Sequence, residues 1–283
     1  MRKRWQFLLA VLIVAGLLTE FYYYWNRPYK LPPVSDGMRL EEYNLAFEKE
    51  KAAAGGLAQG SAEELQKKVA AEPDNLAYGN ALRVTMGKEG RIDAFVAFMK
   101  SLEQPPARAK LQLALAYVDQ MQNESLGTAS LGQISVHSIE LMNEVLEKDP
   151  YDWLAHYARG INNLYWPVGL QRIDKSIQDL SFCLAVTKKF EQDHPFYMWT
   201  LAYTALGDAL VKKGEITDGM KIWKEGHQAH PDDAALKERA QASKDQAVEI
   251  VVRERGMDQF QRPEPGISDL SPIWNPAKEG KGQ

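Results

Sequence analysis

Residues 200–233 read TLAYTALGDALVKKGEITDGMKIWKEGHQAHPDD. Within them, Tyr203-x2-Leu206-Gly207-x2-Leu210 has helical spacing, and Gly219-x3-Trp223 has it again after Gly214. Pro231 closes the stretch. Two antiparallel helices approach closely only where small residues face each other. Gly207 and Gly219 are expected to supply that contact, each at a helix-propensity cost of about 1 kcal/mol relative to alanine. Tyr203 and Trp223 would fill the space beside it. Gly214 stands where the turn needs a residue that tolerates positive φ, and Pro231 stands where a helix must end.

The same offsets recur upstream. Counting back from Pro106, residues 75–108 place Tyr78, Ala81, Ala94, Phe98 and Ser101 at matching positions, with Leu82 in the glycine position. Leu65, Lys68 and Pro73 fit the second helix of a preceding unit, whose first helix is expected over 38–54, before Gly55-Gly56. A further unit from Ala107 carries Leu113, Ala114 and Tyr117, then Ser138, Met142, Val145 and Pro150, with extra residues over about 120–131. Another begins at Trp153, with Gly160 in the glycine position, an insertion around 165–169, and Ser176, Leu180 and Cys183 on its second helix. Lys188 replaces its closing proline, and a bridge over 190–197 leads to the strong repeat.

A 34-residue unit with bulky-x2-Leu-Gly-x2-bulky, then small-x3-aromatic, then proline resembles the tetratricopeptide (TPR) repeat. The resemblance covers about residues 38–233 and implies an all-α solenoid of helical hairpins, whose usual work is holding other molecules. Stacked units bury one another's faces, and at least three are needed. Composition agrees: 45% hydrophobic and 25% charged residues are ordinary for a globular protein, and no alternating strand pattern appears between residues 38 and 255. Residues 233–255 read as one more amphipathic helix, a polar cap with Ala240, Ala247, Val248, Val251 and Val252 inward and Lys237, Glu238, Arg239, Lys244 and Asp245 toward water. Residues 256–283, with four prolines, read as an extended or mobile tail.

The N-terminus bears on compartment. Arg2, Lys3 and Arg4 precede an apolar run over 7–18, and Phe21-Tyr22-Tyr23-Tyr24-Trp25 follows. A cleaved signal peptide is one reading. An uncleaved signal-anchor over residues 5–25 is the other, long enough to cross about 30 Å of hydrocarbon, with the aromatic residues as an interfacial belt. No good Ala-x-Ala site is present, so the transmembrane anchor is preferred over 1–30, with 31–37 as linker and the solenoid over 38–255. No cysteine follows the run to carry a lipid. Both readings place the body on the extracytoplasmic side, because basic residues stay inside. Residues 1–30 hold five Lys/Arg and one Glu, which leaves 29 basic and 37 acidic residues and a body charge of −8. That balance argues against nucleic acid as a partner.

No catalytic constellation stands out: the chain has no GxGxxG, P-loop, Gly-x-Ser-x-Gly or His-Glu-x-x-His motif. His227 and His230, with Asp232 and Asp233, are better read as solvated residues at a helix C-terminus, where a cation suits the dipole. The single cysteine, Cys183, falls at a small inward position and reads as core. No metal, cofactor or enzymatic activity is expected.

In TPR proteins, first-helix positions 2, 5, 9, 12 and 13 line the inner groove. The resemblance assigns these to Leu76, Gly79, Arg83, Met86 and Gly87 in one unit and to Arg108, Leu111, Leu115, Val118 and Asp119 in the next. It assigns Leu154, Tyr157, Ile161, Leu164 and Tyr165 in the third, and Leu201, Thr204, Asp208, Val211 and Lys212 in the last. The centre is apolar and aromatic, without the Lys, Arg and Asn clamp of chaperone-tail receptors. Leu111, Leu115, Val118, Leu154, Tyr157, Ile161, Tyr165 and Trp166 are therefore the candidate binding residues. Three fates are open for such a groove. It takes a protein, peptide or apolar ligand; the insertions cover it; or the tail fills it through Ile273 and Trp274. The expected role is a membrane-anchored, non-enzymatic scaffold for an envelope complex, holding a protein or peptide client. The alternative is a ligand-binding accessory of a transport system, with a hydrophobic tunnel through the solenoid.

Overall fold

The computed structural model describes Trp5, residues 12–17, Thr19, residues 29–55, Leu57 and residues 60–274. The chain divides into two units, Met1–Leu31 and Pro32–Gln283. In the first, Trp5, residues 12–17 and Thr19 are helical and exposed. Among the described residues no helix is long and apolar enough to cross a membrane. The anchor expected over 5–25 falls largely outside them.

Among its described residues the regular structure of the second unit is all helix. Helices α1 (Glu48–Ala54) and α2 (Ala62–Ala71) lead into the hairpins α3 (Leu76–Lys88) with α4 (Ile92–Lys100) and α5 (Ala107–Gln120) with α6 (Thr128–Lys148). Then come α7 (Trp153–Leu164) with α8 (Ile173–Phe190), α9 (Met198–Lys213) with α10 (Ile216–Ala229), and α11 (Ala234–Gln241) with α12 (Lys244–Arg255). The first helices α3, α5, α7 and α9 touch one another in order, which makes them the inner layer. Side-chain caps fix several starts: Asn75 accepts from the Ala77 and Tyr78 amides, Asp152 from Ala155 and Asp233 from Leu236. Each satisfies amides that a helix end leaves unpaired.

The glycine positions explain the stacking. A Cβ on Gly207 would sit 2.2 Å from the Trp223 ring, and one on Gly219 would sit 2.6 Å from the Gly207 carbonyl oxygen. The same relation holds at Gly160, where a Cβ would meet Leu180 at 2.9 Å. Gly214 ends α9 at φ 98°. Cys183 is fully buried, and burial pushes its thiol well up.

Three expectations need correction. Residues 38–54 are not one helix: a 3₁₀ turn (Leu40–Tyr43) ends at Asn44, at φ 56°, and α1 begins only at Glu48. Asn44 is held there by bonds from its side-chain amide to Asp149 (2.6 Å) and Asp152 (3.0 Å), and its carbonyl accepts from Arg108 (2.8 Å). Residues 233–255 are two helices, because Ala242 is extended and Ser243 starts α12 with a capping box to Gln246. The faces of that cap also differ: Arg239 does not face water but is 2% exposed and paired with Asp208, while Val252 is exposed rather than packed inward.

Candidate functional site

Helices α5 and α7 present one apolar wall, as the 3.6-residue period requires of residues three and four apart. Leu111, Leu115 and Val118 come from α5, Leu154 and Ile161 from α7, and Tyr165 from its C-cap. All are buried. Tyr157 stacks on Trp153, ring centroids 5.2 Å apart and nearly parallel. These seven candidates surround a single cavity of about 40 Å³. Trp166 stands outside it, on the rim. Its indole donates to Ser135 Oγ (2.7 Å), and the Arg172 guanidinium lies 4.1 Å from a ring centroid. Tyr165 is the C-cap, so the eighth candidate lies beyond the helix and off the face of the other seven.

The other side of the cavity is the chain's own tail. Pro263, Ile267, Ser268 and Leu270 line it from there, so this part of the tail lies across the inner face. The described part of the tail is extended apart from turns near 266 and 272. Its path is held by main-chain bonds: Val168 N–H donates to Met257 O (3.0 Å) and Gln261 N–H to Tyr165 O (3.1 Å). Arg262 then donates to the carbonyls of Met121 (2.5 Å), Asn123 (2.8 Å) and Leu126 (2.7 Å), and Gln122 donates to Pro263 O (2.9 Å). Phe260 packs edge-on to Trp166, centroids 5.4 Å apart, and Phe260 and Ile267 pack against the core of Val118, Met121 and Leu131.

This arrangement gives the insertions a role that periodicity did not show. They do not themselves cover the groove. The residues after α5 and after α7 grip the tail, and the tail covers it. Nor are Ile273 and Trp274 the anchors in the groove's centre. Both are 6% exposed, but Ile273 borders Leu40, Leu45 and Phe47 while Trp274 borders Leu57 and α3.

At the α3 end the groove is polar. Arg83, 1% exposed, bonds Asp119 (2.5 Å), Gln112 (2.9 Å), Asn80 (2.7 Å) and, on the tail, Ser268 Oγ (2.9 Å) and O (2.5 Å). Asn80 donates to Asp269 (2.9 Å) and Ser271 Oγ (3.0 Å) and accepts from the Leu270 amide (2.9 Å). Burial favours the neutral acid at Asp269, but the bonds from Asn80 and Ser271 and the charge of Arg83 outweigh it and hold the carboxyl below its usual range. The inner-position rule had placed Arg83 and Asp119 in the groove. Their meaning depends on Ser268, which is 185 and 149 residues away in sequence.

At the opposite end, Asp208 is fully buried and receives bonds from Arg239 Nε (2.8 Å) and Arg255 Nε (2.8 Å). Arg255 also donates to the Tyr165 hydroxyl (2.6 Å). Burial works against the Arg255 charge, but the Asp208 carboxylate outweighs it and holds the guanidinium pKa above its ordinary value. Lys212, 2% exposed, donates to the last carbonyls of α7 and α12, Leu164 O (2.7 Å) and Arg255 O (2.9 Å). It thereby ties the start of the tail to the groove. Burial, then the neighbouring Arg255 charge, pull its pKa down to about 8. The unfolded chain holds this proton up to its ordinary value of 10.5, so stability rises as pH goes from about 8 to 10.5 and is lost on return. The neutral amine keeps two N–H donors for its two carbonyls. Urea midpoints at pH 7.5 and 10 should therefore increase more in the wild type than in Lys212→Met; equal changes would refute this assignment.

Among the described residues no group of three or more His, Cys, Asp or Glu is gathered in a metal-binding arrangement. His230 instead bonds Glu191 (3.0 Å).

No family model matches the chain, and no curated protein matches it. Among solved structures it is similar to the crystal structure of a thermophilic TPR protein from Thermus thermophilus. That likeness has a TM-score of 0.49 and 16% identity over 74% of this chain and 99% of the other. The TPR-like architecture rests on the stacked hairpins themselves, with glycine at the contacts of α7 with α8 and of α9 with α10.

Proposed function

We propose that this chain is a non-enzymatic scaffold whose inner groove holds an extended protein segment. One observation carries the reading: the groove accommodates such a segment, residues 257–274, through side-chain bonds to its main chain and apolar seats for Ile267 and Leu270. Main-chain bonding gives affinity and alternate side chains give specificity, as in other recognition of extended peptides. The tunnel alternative is less well supported, because a cavity of about 40 Å³ has room for only a few water molecules, each needing about 10–15 Å³.

The test places a photoreactive residue at Leu115. In purified protein it should crosslink to residues 263–270. In native membranes part of that adduct should shift to a polypeptide partner, and Ile161→Asp should abolish the shift. The tail adduct alone under both conditions would refute the scaffold reading.

We further propose that residues 5–25 anchor the chain in a membrane, with the body on the extracytoplasmic side, as part of an envelope complex. The support is the apolar run behind Arg2, Lys3 and Arg4. The full chain should resist extraction from membranes at alkaline pH. Release into the soluble fraction would exclude an integral anchor.

A further inference from the structure

The polar end of the groove is a built site. Asn80, Arg83 and Gln112 are each 1% exposed, and they converge with Asp119 on two tail residues. The Ser268 hydroxyl accepts from Arg83 (2.9 Å) while donating to Asp119. Only a group that donates and accepts at one atom can do both. Asp269 accepts from Asn80 (2.9 Å) and also from the Ser271 amide (2.9 Å) and hydroxyl (2.6 Å). A carboxylate here is matched by donors on both sides. Ile267 and Leu270 flank the pair and line the cavity.

The tail is also an incomplete occupant. Beneath it the cavity remains, and Asn162, 3% exposed, lines that cavity. Trp166 donates to Ser135 Oγ, whose own hydroxyl donates to Asn162 Oδ1. That relay orients the amide and leaves Asn162 Nδ2 without a partner among the described residues. A buried donor with no acceptor and an unfilled apolar space are both unfavourable. The tail leaves α12 at Gly256, whose φ of 65° suits glycine.

We propose that the Asn80–Arg83–Asp119 end of the groove recognises an extended partner segment of apolar–Ser–Asp–apolar chemistry, and that such a segment displaces the tail, whose residues 267–270 are the resident copy. This rests on the peptide-groove reading above. Threonine meets the hydroxyl requirement as serine does. A partner whose neighbouring side chain fills the cavity and offers Asn162 an acceptor binds better than the tail.

The test uses the full-length chain and a labelled synthetic peptide of residues 262–274. Ile267→Asp with Leu270→Asp in the chain's own tail should open the groove and raise peptide affinity at least tenfold over wild type. Ser268→Ala or Asp269→Ala in the peptide should each lose at least tenfold, and so should Arg83→Met in the opened chain. Equal binding of the altered peptides would overturn the proposed motif and leave the peptide groove standing. Uptake of the apolar dye 1-anilinonaphthalene-8-sulfonate with no peptide binding would overturn both, in favour of a small-molecule site. Should the double variant not fold, the wild type decides. Excess peptide should lower hydrogen-exchange protection at residues 265–271, and unchanged protection would refute displacement.

Discussion

Asp208→Ala should destabilise the fold by about 3–5 kcal/mol, the cost of removing one partner from a buried ion pair. Asp208 is 0% exposed and is the carboxylate that both Arg239 and Arg255 bond at 2.8 Å. Arg239 keeps a bond to Glu254 at the edge of the cluster, but among the described residues Arg255 keeps only the Tyr165 hydroxyl as a side-chain acceptor. Its guanidinium cannot shed its proton to escape burial. Marginal stabilities of about 5–15 kcal/mol make this a large fraction of the total. The loss should also reach the groove, because Arg255 and Tyr165 adjoin the start of the tail. Urea unfolding with tail-resolved hydrogen exchange checks both. A variant within about 0.5 kcal/mol of wild type, the range of ordinary surface changes, would show the cluster to be dispensable. Asp208→Leu tests a separate point, since an apolar isostere restores packing but leaves Arg255 without a carboxylate and Arg239 with Glu254 alone.

Gly207→Ala should cost about 3 kcal/mol, the upper end for overpacking, although alanine is the better helix former by about 1 kcal/mol. The added methyl would stand 2.2 Å from both Cδ1 and Nε1 of Trp223. Trp223 has no room to yield: it is fully buried, and its indole donates to Thr204 O at 3.2 Å. Behind it the Gly219 carbonyl oxygen lies 3.0 Å from the same methyl. Relief therefore requires α9 and α10 to move apart, which breaks the closest contact in the stack. Gly87 is the internal comparison. It is helical and exposed, with nothing within 4 Å of an added Cβ, so Gly87→Ala should stabilise by up to about 1 kcal/mol. Thermal unfolding of the two variants should move in opposite directions. A shift of the same sign in both would mean that helix propensity, not interhelical contact, governs the glycine positions.

The hairpins were legible in the chain because their signals are local. Gly207 and Gly219 lie on two adjoining helices a single turn apart, and the period of Leu111, Leu115 and Val118 puts them on one face whatever lies opposite. The inner positions also carried over to Arg83, Asp119, Asp208 and Lys212. Periodicity did not distinguish a helix from a break at Asn44 or at Ala242-Ser243. Asn44 is held by Asp149 and Asp152, 105 and 108 residues on, whereas Ser243 starts α12 through a local capping box with Gln246, a signal that apolar period does not read. Trp166 was a candidate as part of the insertion around 165–169, but it lies beyond the C-cap Tyr165 and packs on Phe260 of the tail.

Short windows of the chain were enough to specify an all-α repeat architecture with an apolar centre to its inner face, because close helix packing and amphipathic period are local properties. The occupant of that face emerged only from the folded chain. The tail has no periodicity of its own, and its partners lie as far as 191 residues away. Ser268, Asp269 and Leu270 acquire meaning only when the stacked helices bring Asn80, Arg83 and Asp119 to meet them.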